Sequence, residues 1–389
     1  MPVLKPLIHL CAATSLAYAL RAAKFAASWV DLPLLAAPPD KPLPALSIVV
    51  PARDEERSIE ACVRSLLAQE WLDFEVIVVD DRSTDATPEI LTRLASEHAR
   101  LRVVRGEPLP PGWIGKPWAL VQGARHARGE WLLFTDADST HAPRGAASAL
   151  WFATRGGFHA LSIATHQELG TFWERAALPS ILGTILFVAG PLAEINDPAT
   201  PNKAVANGQY ILVEREAYRA LGGHEALRAE IVEDVMFARR LKADGRFRFV
   251  LAGGAQLASV RMYRSAREIW AGFTKNVFVG AEGDVRALGG GAIFLALISF
   301  VPPLLALRAL ATGRYLLAAE AAACALANVA TSGWGMRRAH FPRRLALLQP
   351  LGMAFFVAVI GNSTWRMLSG RGVEWRGRTY GGGGDAAET

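Results

Sequence analysis

The chain places Asp136, Ala137 and Asp138 directly after an apolar run, Trp131-Leu132-Leu133-Phe134-Thr135. Alternate residues of an extended segment point the same way, so both carboxylates can face one point beyond a buried strand. Hard oxygen donors in that arrangement suit Mg²⁺ or Mn²⁺, and such an ion clamps a diphosphate. The triplet alone is a weak signal, because an acidic turn after a strand is commoner than a metal site. Two more acidic clusters adjoin apolar runs. Asp80-Asp81 closes the apolar run Phe74-Glu75-Val76-Ile77-Val78-Val79, and Glu233-Asp234 precedes Val235-Met236-Phe237-Ala238.

The elements that must position these groups read as a βα alternation. Leu46-Ser47-Ile48-Val49-Val50 is a continuous apolar strand, as in a parallel sheet covered on both faces. A helix is expected near 58–68, the second strand at 74–79, and a helix opening at Thr87-Pro88-Glu89 with Thr87 as cap and proline in the first position. A third strand at 101–104, a helix over roughly 117–128 and the fourth strand at 131–135 complete the series. Such a chain forms a doubly wound α/β sheet that binds ligands at the carboxyl ends of its strands. Asp80-Asp81 and Asp136-Ala137-Asp138 both fall at such ends.

Composition places this domain beside a membrane. The 389 residues are 51% hydrophobic and 20% charged, with a net charge of +6 and a mean hydropathy of +0.21. Apolar stretches near 291–311, 315–333 and 345–364 are long enough to span a bilayer. Residues 1–30 read as an uncleaved N-terminal anchor whose basic flank, Arg21 and Lys24, faces the cytoplasm. If all four runs cross, the basic tail at Arg366, Arg371, Arg376 and Arg378 lies on the wrong side. One run is then re-entrant or interfacial, and Pro302-Pro303 marks 291–311. Residues 176–193 are also apolar and uncharged. A single crossing there would separate Asp138 from Glu233-Asp234, so the segment is expected as an interfacial helix. The expected organisation is therefore the anchor, a stiff Pro-rich linker at 31–45, an α/β domain at 46–285, membrane helices at 286–365, and a basic then Gly-rich tail at 366–389. The basic chain shows no pattern that reads nucleic acid. Cys11, Cys62 and Cys324 are scattered, which implies neither a disulfide framework nor a zinc site.

Four blocks in order then resemble family 2 glycosyltransferases of the GT-A fold: Pro51-Ala52-Arg53-Asp54-Glu55-Glu56, Val79-Asp80-Asp81-Arg82-Ser83-Thr84-Asp85, Thr135-Asp136-Ala137-Asp138 and Ile231-Val232-Glu233-Asp234. Two more, Pro111-Gly112-Trp113-Ile114-Gly115-Lys116 and Val260-Arg261-Met262-Tyr263-Arg264-Ser265 with Lys275-Asn276, resemble membrane enzymes that glycosylate polyprenoid lipids, of the chlorobactene and hopanoid type. No Q-x-x-R-W follows Glu233-Asp234, which separates the chain from processive polysaccharide synthases.

The resemblance implies an inverting, metal-dependent transfer of a hexose from a nucleotide-sugar, expected as a UDP-sugar, to a membrane lipid. Pro51, Arg53 and Glu55 would wall the nucleoside, and Asp81 would accept from uracil or ribose. Asp138 would hold Mg²⁺ or Mn²⁺, with Asp136 on ribose or metal. Asp234 is the candidate general base, with Glu233 orienting acceptor or base. Lys116 would meet phosphate or acceptor, or lie solvated; Arg261, Arg264 and Lys275 would grip the diphosphate or sit among lipid headgroups. Asn207-Gly208-Gln209-Tyr210 would open a strand and line the acceptor pocket. Two alternatives stand beside this reading: a sugar transferase to a polyprenyl phosphate, and a non-catalytic membrane-binding module of the same fold.

Overall fold

The computed structural model describes residues 4–369 and 371, and the backbone of 373–375 and 378–380. Arg376 and the Gly-rich end lie outside the described residues. After α1 (Leu4–Ser28) the chain enters an α/β unit: β1 (Leu46–Ala52), α2 (Ile59–Leu67), β2 (Phe74–Asp80), α3 (Thr87–Glu97), β3 (Leu101–Arg105), α4 (Gly115–His126), β4 (Trp131–Phe134), β5 (Ser139–His141), α5 (Gly145–Gly156), β6 (Ala160–Ala164) and β7 (His166–Gln167). It leaves through α6 (Phe172–Ala189) and returns as α7 (Leu192–Ile195), β8 (Ile211–Glu214), α8 (Arg215–Ala220), α9 (Glu233–Asp244), β9 (Phe249–Gly253) and β10 (Ala258–Val260). The rest is helical: α10 (Ala266–Gly280), α11 (Val285–Ile298), α12 (Val301–Ala311), α13 (Tyr315–Arg338) and α14 (Gln349–Leu368), then a hairpin of β11 (Val373–Trp375) and β12 (Arg378–Tyr380).

Seven strands form one sheet in the order β3-β2-β1-β4-β8-β6-β9. The first four are parallel, β8 runs antiparallel to β4 and β6, and β6 is parallel to β9. Ile48, Val50, Val76, Val78, Leu133, Leu161 and Leu212 share one core with Ile59, Leu66, Leu91, Leu94 and Leu150 from the covering helices. The continuous apolar character of β1 and β2 follows from this double cover. The register aligns Ala52 with Asp80 and Val49 with Phe134, so the carboxylates after β2 and β4 emerge on either side of the β1 exit. A smaller sheet, β5-β10-β7, pairs β10 antiparallel with β5 and parallel with β7.

Two details differ from the sequence reading. Thr87 is the first residue of α3 and Ala86 the cap, with no side-chain capping bond; the Thr87 hydroxyl instead accepts from the Glu55 N–H at 2.8 Å. The Pro-rich segment is docked: Leu32 N–H donates to Gly253 O at 2.7 Å, Gly253 N–H to Val30 O at 2.8 Å, and Arg144 reaches Leu35 O at 2.9 Å. The compact α/β unit accordingly comprises Trp29–Glu168 and Leu192–Met262, where the sequence drew a continuous 46–285.

The second compact unit is helical and contains α1, α6 and everything from Tyr263 onward. Among the described residues, α6, α13 and the segment Arg343–Leu368 are long and apolar enough to cross a membrane, and α11 with α12 forms a pair bent by 48°. The break falls just before Pro302-Pro303, which open α12 where prolines cost no helical hydrogen bond. α1 and α13 run parallel, joined at His9–Glu320 (3.5 Å) and Tyr18–Ser332 (3.0 Å). α6 lies across the end where these two helices finish. Its start packs on α14, where a Cβ on Gly352 would meet Ala176 O at 2.1 Å. At its other end Phe187 meets Tyr18 and Phe294, and the Phe187 carbonyl accepts from Arg21 at 2.9 Å. Pro179 lies inside α6, whose first turn is fixed by a capping box of Thr171 and Glu174.

Candidate active site

The loop after β1 and the loop after β2 are zipped together. Asp81 N–H donates to Ala52 O at 2.7 Å. Arg53 donates to Asp81 O at 3.1 Å and lies 3.8 Å from the Asp81 carboxylate, which is buried. Asp54 accepts from Thr84 N–H (2.8 Å), and Glu56 N–H donates to Asp85 (3.0 Å). Asp54 and Arg82 both have positive φ, 53° and 57°, a conformation that costs non-glycine residues energy and is held here by these cross-loop bonds. Asp80, capped onto Ser83 N–H at 3.0 Å, closes the turn. Pro51, Arg53, Glu55 and Asp81 thus share one pre-formed rim at the β1–β2 exits.

The β4 exit is fixed from beneath. Thr135 donates its hydroxyl to Gln209 O at 2.8 Å, so the 3.0 Å contact from His141 Nε2 is a donation to Thr135 Oγ1. Burial pushes His141 down to about 4, so the ring is neutral. Around Cys62, whose thiol burial pushes up, stand the carboxylates of Asp138, Glu55 and Asp136, which push it further. The carboxylates of the β1 and β4 exits therefore share one neighbourhood.

Lys116 joins that neighbourhood to α9. It opens α4, and its Nζ lies 2.8 Å from Asp136 Oδ1 and 3.0 Å from Glu233 Oε1. Its side chain is one-third exposed, while that of Glu233 is only 8% exposed. Burial opposes the Lys116 charge, but Asp136, Glu233 and Asp234 outweigh it and hold the ammonium well above the ordinary lysine range. The sequence left Lys116 open between phosphate, acceptor and solvent; its ion pairs make it the bridge between the D-x-D loop and the Glu-Asp pair.

Asp234 is clamped by backbone. Gly208 N–H donates to Oδ2 and Val235 N–H to Oδ1, each at 2.8 Å. Burial, reinforced by Glu233, nevertheless pushes Asp234 up to about 6, against the pull of Lys116 and the two N–H donors. Gly208 is tight against both groups: a Cβ there would stand 2.9 Å from Lys116 Nζ and 3.2 Å from Asp234 Oδ2, so the ammonium and the carboxylate would have to shift. Its flanks anchor it. Gln209 Oε1 receives Thr165 Oγ1 (2.6 Å), Gln167 Nε2 (3.1 Å) and Asn207 Nδ2 (3.2 Å), and Asn207 N–H donates to Ser162 at 2.8 Å. The sequence marks 207–210 only as a strand opening that lines an acceptor pocket; its part in holding Asp234 comes from pairing that no local pattern announces.

Arg261 lies just past β10 in the α/β unit, and Lys275 on α10 in the helical unit. Among the described residues, no three His, Cys, Asp or Glu converge as a ready-made metal cage. Asp136 and Asp138 supply hard oxygens, and a Mg²⁺- or Mn²⁺-sized ion held by one or two carboxylates plus substrate phosphates needs no such cage.

A parallel βα series with acidic clusters at its carboxyl ends, a basic side chain between them and a buried carboxylate on a following helix define a GT-A transferase site. Residues 47–222 match the family model of glycosyl transferase family 2, and that part of the chain is a family 2 glycosyltransferase domain. It is 27% identical over 345 residues to the 4,4'-diaponeurosporenoate glycosyltransferase of Staphylococcus aureus (strain USA300), covering 86% of this chain and 88% of that one. The fold is also that of the mannosyltransferase PcManGT from Pyrobaculum calidifontis, solved with GDP-Man and Mn²⁺. The match has a TM-score of 0.51 and 20% identity, and covers 94% of this chain and 98% of that one.

Proposed function

We propose that the enzyme moves a hexose from a nucleotide-sugar to a hydroxyl on a membrane lipid of polyprenoid type, with inversion at the anomeric carbon. The observation that carries this is the Asp234 clamp: a half-buried carboxylate, pushed up to about 6, fixed by two backbone N–H donors across Lys116 from the D-x-D loop. Such a group is deprotonated at neutral pH yet basic enough to take a proton as the acceptor oxygen attacks. Arg53 and Asp81 would hold the nucleoside at the β1–β2 rim. Asp138, with Asp136, would hold Mg²⁺ or Mn²⁺, which supplies charge neutralisation on the departing diphosphate. Lys116 would orient Glu233 and Asp136 around the sugar, and Arg261 would bind diphosphate. The membrane-compatible helices support an acceptor drawn from the bilayer, with the α/β unit on the cytoplasmic side. Glu168 and Leu192, at either end of the α6 excursion, both belong to that unit, which keeps the two halves of the sheet on one side.

A second reading rests on the Staphylococcus relative, whose name specifies a carboxylate acceptor. A carboxylate attacks without losing a proton, so it needs no base. The two readings separate on one experiment: full-length enzyme in lipid nanodiscs, given a panel of labelled nucleotide-sugars with polyprenoid alcohols or polyprenoid acids, and lipid extracts counted. Label in the alcohol, lost on chelation and restored by Mn²⁺, supports the first reading. Label in the acid alone supports the second, and label in neither overturns both.

A further inference from the structure

The basic end of the helical unit is unpartnered. α13 finishes in Arg337 and Arg338, and a second pair, Arg343 and Arg344, begins five residues after Arg338; all four are exposed, and none of their guanidinium groups has an ionic or hydrogen-bonded partner among the described residues. No Asp or Glu occurs between Glu320 and Glu374, so the sequence supplies no local counter-charge. Because α1 runs parallel to α13, exposed Lys24 emerges at the same end. Glu174, the acidic residue of α6, is spent on the N–H groups of Gly170 and Thr171.

The same end is also apolar. Trp334, one turn before Arg337, is 37% exposed and Leu347, three residues after Arg344, 73%. α6 lies across this end and exposes Val188. Arginines alone would serve any polyanion. Arginines interleaved with exposed apolar side chains, beside a helix laid flat over the bundle end, match a phosphate layer that has acyl chains directly beneath it.

We propose that this end of the helical unit is a binding surface for anionic phospholipid headgroups, with Arg337, Arg338, Arg343 and Arg344 on the phosphates and Trp334 at the acyl boundary. Guanidinium groups bind phosphate by paired, charge-assisted hydrogen bonds, and each basic residue at such a surface enriches anionic lipid about fivefold. The surface rests on the membrane reading of the helices and not on the transfer chemistry, so its test uses neither donor nor turnover.

The full chain is placed in phosphatidylcholine nanodiscs containing 10 mol% (about one lipid in ten) of either brominated phosphatidylglycerol or brominated phosphatidylcholine. Trp334 emission is isolated by subtracting a Trp334→Phe protein. The expected result is at least about twofold stronger quenching by the anionic lipid, reduced by high salt and absent in an Arg337→Gln/Arg338→Gln/Arg343→Gln/Arg344→Gln protein. The corresponding four-lysine protein should keep most of the excess. Equal quenching by the two lipids in the unmutated protein would overturn the proposal, and that comparison needs no variant to fold. An excess that survives the four Gln substitutions would overturn it equally.

Discussion

Replacing Lys116 by Met removes one positive charge from among three carboxylates and keeps most of the side-chain volume. The Asp136 pair is partly wet, with both side chains near one-third exposed, and belongs with surface pairs of up to about 1 kcal/mol. The Glu233 pair is different, because that carboxylate is 8% exposed and loses its cation with little water to replace it. Breaking a fully buried pair costs about 3–5 kcal/mol, and the exposure of Lys116 itself brings this one to roughly 2 kcal/mol. The consequence reaches Asp234, since Lys116 is the cation that holds its proton affinity down. A base works only when deprotonated, so activity exists above its pKa and is lost as pH falls through it. In the wild type that limb is expected near 6. Each 1.4 kcal/mol of lost Lys116 interaction would move it up by about one pH unit. Lys116→Met should therefore lose several-fold in kcat/KM at pH 6.5–7 and regain much of it above about pH 8. The assay is a pH–rate profile of lipid labelling by full-length protein in nanodiscs. An acid limb at the same pH in both proteins would refute the argument, even if the variant were slower.

Other substitutions probe the parts that hold Asp234. Gly208→Ala drives a methyl to 2.9 Å from Lys116 Nζ, and should lower kcat by more than tenfold with donor binding retained, read by donor titration beside turnover. Gln209→Met keeps the volume but leaves Thr165, Gln167 and Asn207 without their shared acceptor; about 1–3 kcal/mol of stability should be lost in a thermal melt, with the acid limb shifted upward as the Gly208 N–H loosens. Asp138→Asn should weaken Mn²⁺-dependent donor binding by at least about tenfold, measured by calorimetry, while metal-free nucleotide binding at the Arg53–Asp81 rim changes little.

The parallel half of the sheet was legible because β1, β2 and β4 are largely apolar runs ending in charged loops, and all but one residue of β1 and of β2 is buried. The candidate residues of the first three motif blocks were legible for the same reason: they sit at strand exits, where a carboxylate has no role in packing. The antiparallel β8 was not. It is four residues long, and its pairing between β4 and β6 is decided by chain segments 50–80 residues away. The Pro-rich stretch reads as a spacer in composition, yet a few backbone bonds to β9 and α5 dock it, a choice that composition cannot encode. Lys116 was visible as a lysine in a Gly-rich loop. Its ion pairs require α4 and α9 to converge, and nothing within 100 residues of sequence says that they do. Residues 176–193 were the reverse case. Hydropathy alone allows a span, and only the requirement that Asp138 and Asp234 share a compartment argued for the interface.

The central claim is that Asp234 takes the proton of an acceptor hydroxyl in a site shared with the D-x-D loop. The direct measurement is the single-turnover rate of hexose transfer to a polyprenoid alcohol by Asp234→Asn, with nucleotide-sugar affinity measured on the same preparation. The account predicts unchanged donor affinity within about threefold and a rate lower by roughly 10²–10⁴. Transfer at the wild-type rate with the donor bound normally would contradict it.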